Sequence, residues 1–179
     1  MRVRAPHDGP AWRPGFCPPA PPQGDALWLT PLAPHLAELD LAAFTSCRAR
    51  LAAELDWNGW PPEGFGLDDN RRDLAEHYRE YERREAYAYS LLRARRCIGC
   101  VYVEPWTTGA QLAFWVIDEA LPETAALLGA VLDWLATWPF EAVVVPLRPW
   151  NERDQATLTA LGLAPCEGPE GHRSFVSRS

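Results

Sequence analysis

Ala110-Gln111-Leu112-Ala113-Phe114-Trp115-Val116-Ile117, the apolar stretch from Leu121 to Trp138, and Ala142-Val143-Val144-Val145-Pro146-Leu147 follow in close succession, and their reading decides the fold. The first run alternates, with Leu112, Phe114 and Val116 on one face, as a half-buried strand does. In the second, Leu121, Thr124, Leu128, Val131, Leu135 and Trp138 recur every three or four residues, and Pro139 ends the helix. The third is short, apolar and rich in valine, which predicts a buried central strand. A strand, a helix and a strand in this order predict two parallel neighbours joined by a crossover.

Upstream, the period is also two. Ala86 to Leu92 and Cys97 to Glu104 read as strands on either side of a polar turn, Arg93 to Arg96, so three strands form an antiparallel meander. Before them, Leu27-Trp28-Leu29 reads as a short strand. One helix begins after Pro34, with Leu36, Leu39, Ala43, Phe44, Leu51 and Leu55 in its apolar stripe. A second is capped by Asp69 or Asn70, runs to about Arg84 and shows Leu74, His77, Tyr78 and Tyr81 on one side. Downstream, Asn151 caps a short helix that Gly162 stops, and Arg173 to Ser177 reads as an edge strand. The predicted class is α/β, a mixed α+β sheet in the order β-α-α-β-β-β-α-β-α-β.

Residues 26–179 read as a single domain, because 179 residues suit one well-filled core. Residues 1–25, with Pro18-Pro19 and Pro21-Pro22, read as an extended or disordered arm apart from that core. No run of about 18 apolar residues predicts a membrane span, and Met1 to Gly24 lacks the apolar segment of a secretory signal. A net charge of −7 with short, interrupted basic stretches argues against nucleic acid as a partner. Five cysteines, an odd and widely spaced set, point to reduced thiols and a cytoplasmic protein. Cys97 and Cys100 lie three apart in a strand-like run, which predicts sulfurs on opposite faces, sharing neither a metal nor a disulfide.

Taken in series, these residues resemble the GNAT superfamily of N-acetyltransferases, over about Ala26 to Ser177 and most specifically over Ala110 to Leu163. Ala110 to Val116 is similar to the strand A-E-L-G-Y-W-L of the branch that acetylates ribosomal-protein N-termini. Asn151 and Leu161-Gly162-Leu163 sit at the family's Asn and K-L-G-F-like positions, and Ile98-Gly99-Cys100-Val101-Tyr102-Val103 is similar to the family's third strand, where a Gly is common. The resemblance implies a GNAT-like acyl-CoA N-acyltransferase fold with acetyl-CoA held between the fourth and fifth strands. It implies pantetheine contacts from the backbone of Trp115, Val116 and Ile117, with Thr124 and Asn151 also at donor-site positions. It implies an N-acetyltransferase acting on a small amine or a peptide N-terminus, with no metal, and leaves a homodimer open.

The diphosphate cradle of the family, Q/R-x-x-G-x-G/A, is where this sequence departs. Glu119, Pro122 and Thr124 stand at its three defining positions, with Asp118 and Glu123 beside them. Proline lacks an N–H, and clustered carboxylates repel a diphosphate. The alternative reading is therefore a GNAT-like binding or regulatory module that has lost CoA. Arg148 and Arg153 are candidates to supply the missing positive charge.

Amine acetylation needs a base for the ammonium and an acid for the departing thiolate. Glu104 and Asp118, at strand ends, are the candidate bases, and Tyr102, on the face of Glu104, is a candidate either to position substrate or to act as acid. Leu158 occupies the position of the tyrosine that many GNAT members use as acid. His77 and Tyr81 are expected to border the acceptor pocket.

Overall fold

Seven strands form one mixed sheet in the computed structural model, which describes residues 12, 15–24, 27–55, 57, 59–60, 62–106 and 109–178. They are β1 (Trp28–Pro31), β2 (Tyr87–Arg93), β3 (Arg96–Trp106), β4 (Gly109–Val116), β5 (Ala142–Leu147), β6 (Ala164–Cys166) and β7 (Arg173–Arg178). Their spatial order is β1-β2-β3-β4-β5-β7-β6. β1 to β4 pair antiparallel, as the alternating runs predict. β4 and β5 are parallel neighbours, joined through the helix α4 (Thr124–Leu135).

α4 covers one face of the sheet: Thr124, Leu127, Leu128 and Val131 pack over Leu91, Val101, Phe114 and Val116. The other face carries α1 (Ala37–Ser46) and α3 (Leu67–Arg83), with α1 lying on β3 and α3 on β2. α2 (Arg48–Leu55) and α5 (Glu152–Ala160) complete the set.

Several boundaries differ from the sequence reading, each for a local reason. The helix expected from Pro34 to Leu55 is broken into a 3-10 turn, α1 and α2. At the second break the Ser46 hydroxyl donates to the Ala43 carbonyl, a side-chain bond that competes with helix propagation. α1 turns Asp40, Ala43 and Phe44 inward and leaves Leu39 exposed. α3 starts earlier than Asp69, with Gly66 as its cap and the Asp69 carboxylate accepting the Gly66 N–H at 3.0 Å. Asn70 is no cap. It is buried, and its amide donates to the Ala37 carbonyl and to Asp40.

The helix expected from Leu121 begins at Thr124, after a 3-10 turn over Asp118–Glu123. β7 is not the edge strand. β6, three residues long and absent from the sequence reading, lies outside it.

The Pro-rich segment departs most. Trp12 and Phe16 are not apart from the core: they stack among Tyr87, Trp138 and Phe140 with centroid separations from 5.1 to 6.3 Å. Trp12 Nε1 donates to the Glu85 carbonyl, and the Ala20 carbonyl accepts from Trp134 Nε1. Prolines keep this stretch out of regular structure, but its rings have apolar area to bury.

Candidate active site

β4 and β5 are registered only at Ala110–Val143 and Gln111–Val144. Beyond these two rungs the strands part, while β4 stays paired with β3 as far as Val116. The sheet therefore opens into a V at the C-terminal ends of two parallel strands, the place where ligands bind in open sheets with a crossover helix. Gly109 holds the apex closed: a Cβ there would run into the Ala142 carbonyl of β5.

Tyr102 and Trp115 meet beside this opening. The Trp115 indole donates to the Tyr102 hydroxyl at 3.3 Å, and both side chains are buried. Trp57 stands edge-on to Tyr102 at 5.5 Å, and the His77 ring lies 5.5 Å from it as well. Glu104, half-buried, sits across from Gln111 at the last rung before the strands part, on the same face as Tyr102. Tyr81 does not join this group. Its ring packs on Tyr78, Tyr87 and Tyr89 instead.

Asp118 lies at the far end of β4 and pairs with Arg50 Nε at 2.5 Å. The same guanidinium donates to the Val116 carbonyl and to Glu54. Ile117 N–H is bonded to the Ile98 carbonyl. The Thr124 hydroxyl donates to the Leu121 carbonyl in the first turn of α4. Asn151 caps α5, its Oδ1 accepting the Asp154 N–H at 3.3 Å and its Nδ2 donating to the Asp154 carboxylate. Arg153 is engaged by Glu54, with two bonds of 2.9 Å, and by Asp154.

The cradle position has its own internal bonds. Ala120 N–H is given to the Ile117 carbonyl and Thr124 N–H to the Leu121 carbonyl, while Pro122 has no N–H. Of the three carboxylates there, Asp118 is paired with Arg50 and Glu123 with Arg93. The Arg93 guanidinium holds the Glu123 carboxyl below its usual range.

No family model and no curated protein matches this chain. Solved structures do. It is similar to RimL, the ribosomal L7/L12 alpha-N-protein acetyltransferase in complex with coenzyme A, at a TM-score of 0.74 and 14% identity over 88% of this chain and 96% of that one. It is similar to the ribosomal-protein-S5-alanine acetyltransferase of Vibrio fischeri, at a TM-score of 0.70 and 14% identity over 89% and 97% of the two chains. It is also similar to the microcin C7 self-immunity acetyltransferase MccE, in complex with acetyl-CoA and AMP, at a TM-score of 0.72 and 12% identity over 86% and 92%. The chain has the GNAT fold.

Two features of this GNAT fold escaped the sequence reading. The first is α2, whose Arg50 and Glu54 tie it to the ends of β4 and α5. The second corrects the cysteine expectation. Leu91 pairs with Gly99 but Leu92 with Cys97, so Ile98 is an extra, bulged residue. The bulge resets the alternation, and the Cys97 and Cys100 sulfurs and an Asp40 oxygen lie within 4.8 Å of one another. Three donors are one short of the four that a structural zinc site uses. Among the described residues, the cluster is better understood as a buried hydrogen-bonded triad, with the Cys100 thiol donating to Asp40 at 3.3 Å.

Burial raises the Asp40 pKa from 3.8 to about 6, against the bonds from Asn70 and Cys100, and the Asp73 carboxylate adds to the rise. Burial also pushes the Cys100 thiol well above its ordinary range. The folded state therefore holds the Asp40 proton more tightly than the unfolded chain. Its contribution to stability is full below about pH 4 and is lost as pH rises through about 6, a change on the order of 3 kcal/mol. Asp40→Asn keeps an acceptor for Asn70 and replaces the oxygen that accepts from the Cys100 thiol with an N–H that can donate to the sulfur. Urea unfolding at a series of pH values should show this fall in wild type and a flat profile in Asp40→Asn. Parallel profiles would contradict the assignment.

Proposed function

We propose that this protein is an acetyl-CoA-dependent N-acetyltransferase acting on a small amine or a peptide N-terminus. The observation that carries the reading is the V between β4 and β5, which leaves the backbone of β4 from Leu112 onward without a β5 partner. Pantetheine is a chain of amides, and a strand edge offers alternating N–H and C=O groups to pair with them. We assign that pairing to the backbone of Trp115, Val116 and Ile117, which needs no particular side chains; the Ile117 N–H is already given to the Ile98 carbonyl of β3, so its carbonyl is the group left to contribute. The neighbours of similar fold support it, among them a peptide-end acetyltransferase bound to coenzyme A and a self-immunity acetyltransferase bound to acetyl-CoA.

In this reading Glu104 takes a proton from the substrate ammonium. The freed nitrogen lone pair attacks the thioester carbon, and the tetrahedral adduct collapses by breaking the C–S bond; the thiolate takes a proton from Tyr102, and the resulting phenolate takes the remaining surplus proton from the new amide nitrogen. The Tyr102 oxygen accepts from Trp115, a polarity that directs the phenol to donate. Asp118 is the weaker candidate base, because Arg50 already occupies its carboxylate. Thr124 and Asn151 act by shaping the first turns of α4 and α5 beside the donor, since their polar atoms are spent within those turns.

The test is calorimetric titration with acetyl-CoA, followed by thiol release with a peptide bearing a free α-amine and with its N-acetylated control. Release with the free amine alone is expected. The triple variant Glu119→Arg, Pro122→Gly, Thr124→Gly restores the diphosphate cradle and should bind acetyl-CoA at least about tenfold more tightly, about 1.4 kcal/mol. Absence of binding by both wild type and this variant would overturn the enzyme reading in favour of a non-catalytic module.

A further inference from the structure

α2 spans the mouth of the V. On the β4 side, Arg50 donates to the Val116 carbonyl and pairs with Asp118. On the β5 side, Arg148 Nε donates to the Leu55 carbonyl at 3.4 Å and the Trp150 indole to the Ala53 carbonyl at 2.7 Å. Arg153 of α5 grips Glu54 with both terminal nitrogens. Between the strands, Glu54, Leu55 and Trp57 face Ala113, Phe114, Pro146 and Leu147 around a cavity of about 20 Å³. That is room for about one water, whereas cofactor sites run to roughly 300–1,000 Å³.

We propose that α2 is a latch across the donor cleft, and that acetyl-CoA is admitted only when Arg50 lets go of Val116 and Asp118. The proposal rests on the N-acetyltransferase reading. Its logic is that one carbonyl and one gap are claimed twice. Val116 is where pantetheine pairs with β4, and the space beyond it is filled by the C-terminal turn of α2 and Trp57.

The ties are of the kind that release easily. Each tie has one well-exposed partner, Asp118 at 55%, Arg153 at 37% and Trp150 at 57%, against 17% for Arg50 and 20% for Glu54, and ion pairs that water reaches are individually weak. α2 is also short, eight residues, and separated from α1 by the break at Cys47, so it can swing without unwinding its neighbour. A closed latch lowers the apparent donor affinity by the fraction of molecules that are open.

Two variants test this with the full chain. Arg50→Gln removes the β4 tie, and Trp150→Phe removes a β5 tie while leaving Arg50 and the cavity lining intact. The latch predicts acetyl-CoA binding at least about tenfold tighter in Arg50→Gln, a smaller gain in Trp150→Phe, and faster amide hydrogen exchange confined to residues 48–55 in both. If Arg50→Gln proves unstable, the Trp150→Phe gain and its exchange pattern decide the matter. Weaker or unchanged binding in the variants overturns the latch, and makes Arg50 a ligand of the donor phosphates or a bystander. Should wild type still acetylate amines in that case, the latch alone has failed. Should neither wild type nor variants bind acetyl-CoA, the latch and the enzyme reading fall together.

Discussion

Glu104→Gln lowers turnover at saturating acetyl-CoA by about 10²-fold and leaves donor affinity unchanged. The expectation follows from position. Glu104 occupies the last β3 rung before the V opens, opposite Gln111, and shares its face with Tyr102. An ammonium ion arriving at the apex meets a carboxylate on the strand that borders β4. Glutamine keeps the shape and removes the proton acceptor. A variant with unchanged kcat from pH 6 to 9 would take Glu104 out of the mechanism.

Trp12→Ala is expected to cost about 3–5 kcal/mol of folding stability, the range for truncating a buried aromatic ring. Trp12 touches Phe16, Tyr87, Trp138 and Phe140, and its indole N–H satisfies the Glu85 carbonyl. Each aromatic pair adds about 0.5–1.5 kcal/mol beyond burial, and the abandoned carbonyl adds a penalty of its own. Chemical denaturation should show a lower midpoint with little change in slope. A loss below about 1 kcal/mol would mean that the N-terminal segment merely rests on the sheet.

The centre of the fold was legible because its signals are local. Ala142–Leu147 is the strand its valines announced, and Asn151 caps α5 as expected, accepting the Asp154 N–H. The meander and the α4 crossover followed from period alone. The missed features depend on contacts far apart in sequence. Arg50 and Val116 are 66 positions apart, and nothing near Arg50 marks it out from the other polar residues of α2. Ile98 carries no mark of a bulge either. A β-branched residue in a strand is the ordinary case, and only the pairing partner reveals the extra residue. Proline counting misjudged the arm, because it weighed the backbone and ignored two rings able to bury themselves. Tyr102 and Trp115 were each chosen for separate reasons, and only register joins them: Tyr102 faces Ala113, one step along the face from Trp115.

β7 follows β6 in sequence yet stands between β6 and β5. During synthesis the meander from β1 to β4, and its parallel rungs to β5, can assemble before Arg173–Arg178 exists. Until then β5 presents an open row of amides and carbonyls over Ala142–Leu147, and β6 has no sheet to join. An apolar strand with one bare edge is a template for pairing with another chain. The nascent protein is therefore most prone to self-association in the interval between completing β5 and completing β7. Substitutions that weaken β7, such as a proline at Phe175 opposite Val145, should show up first as poor soluble yield rather than as lost catalysis.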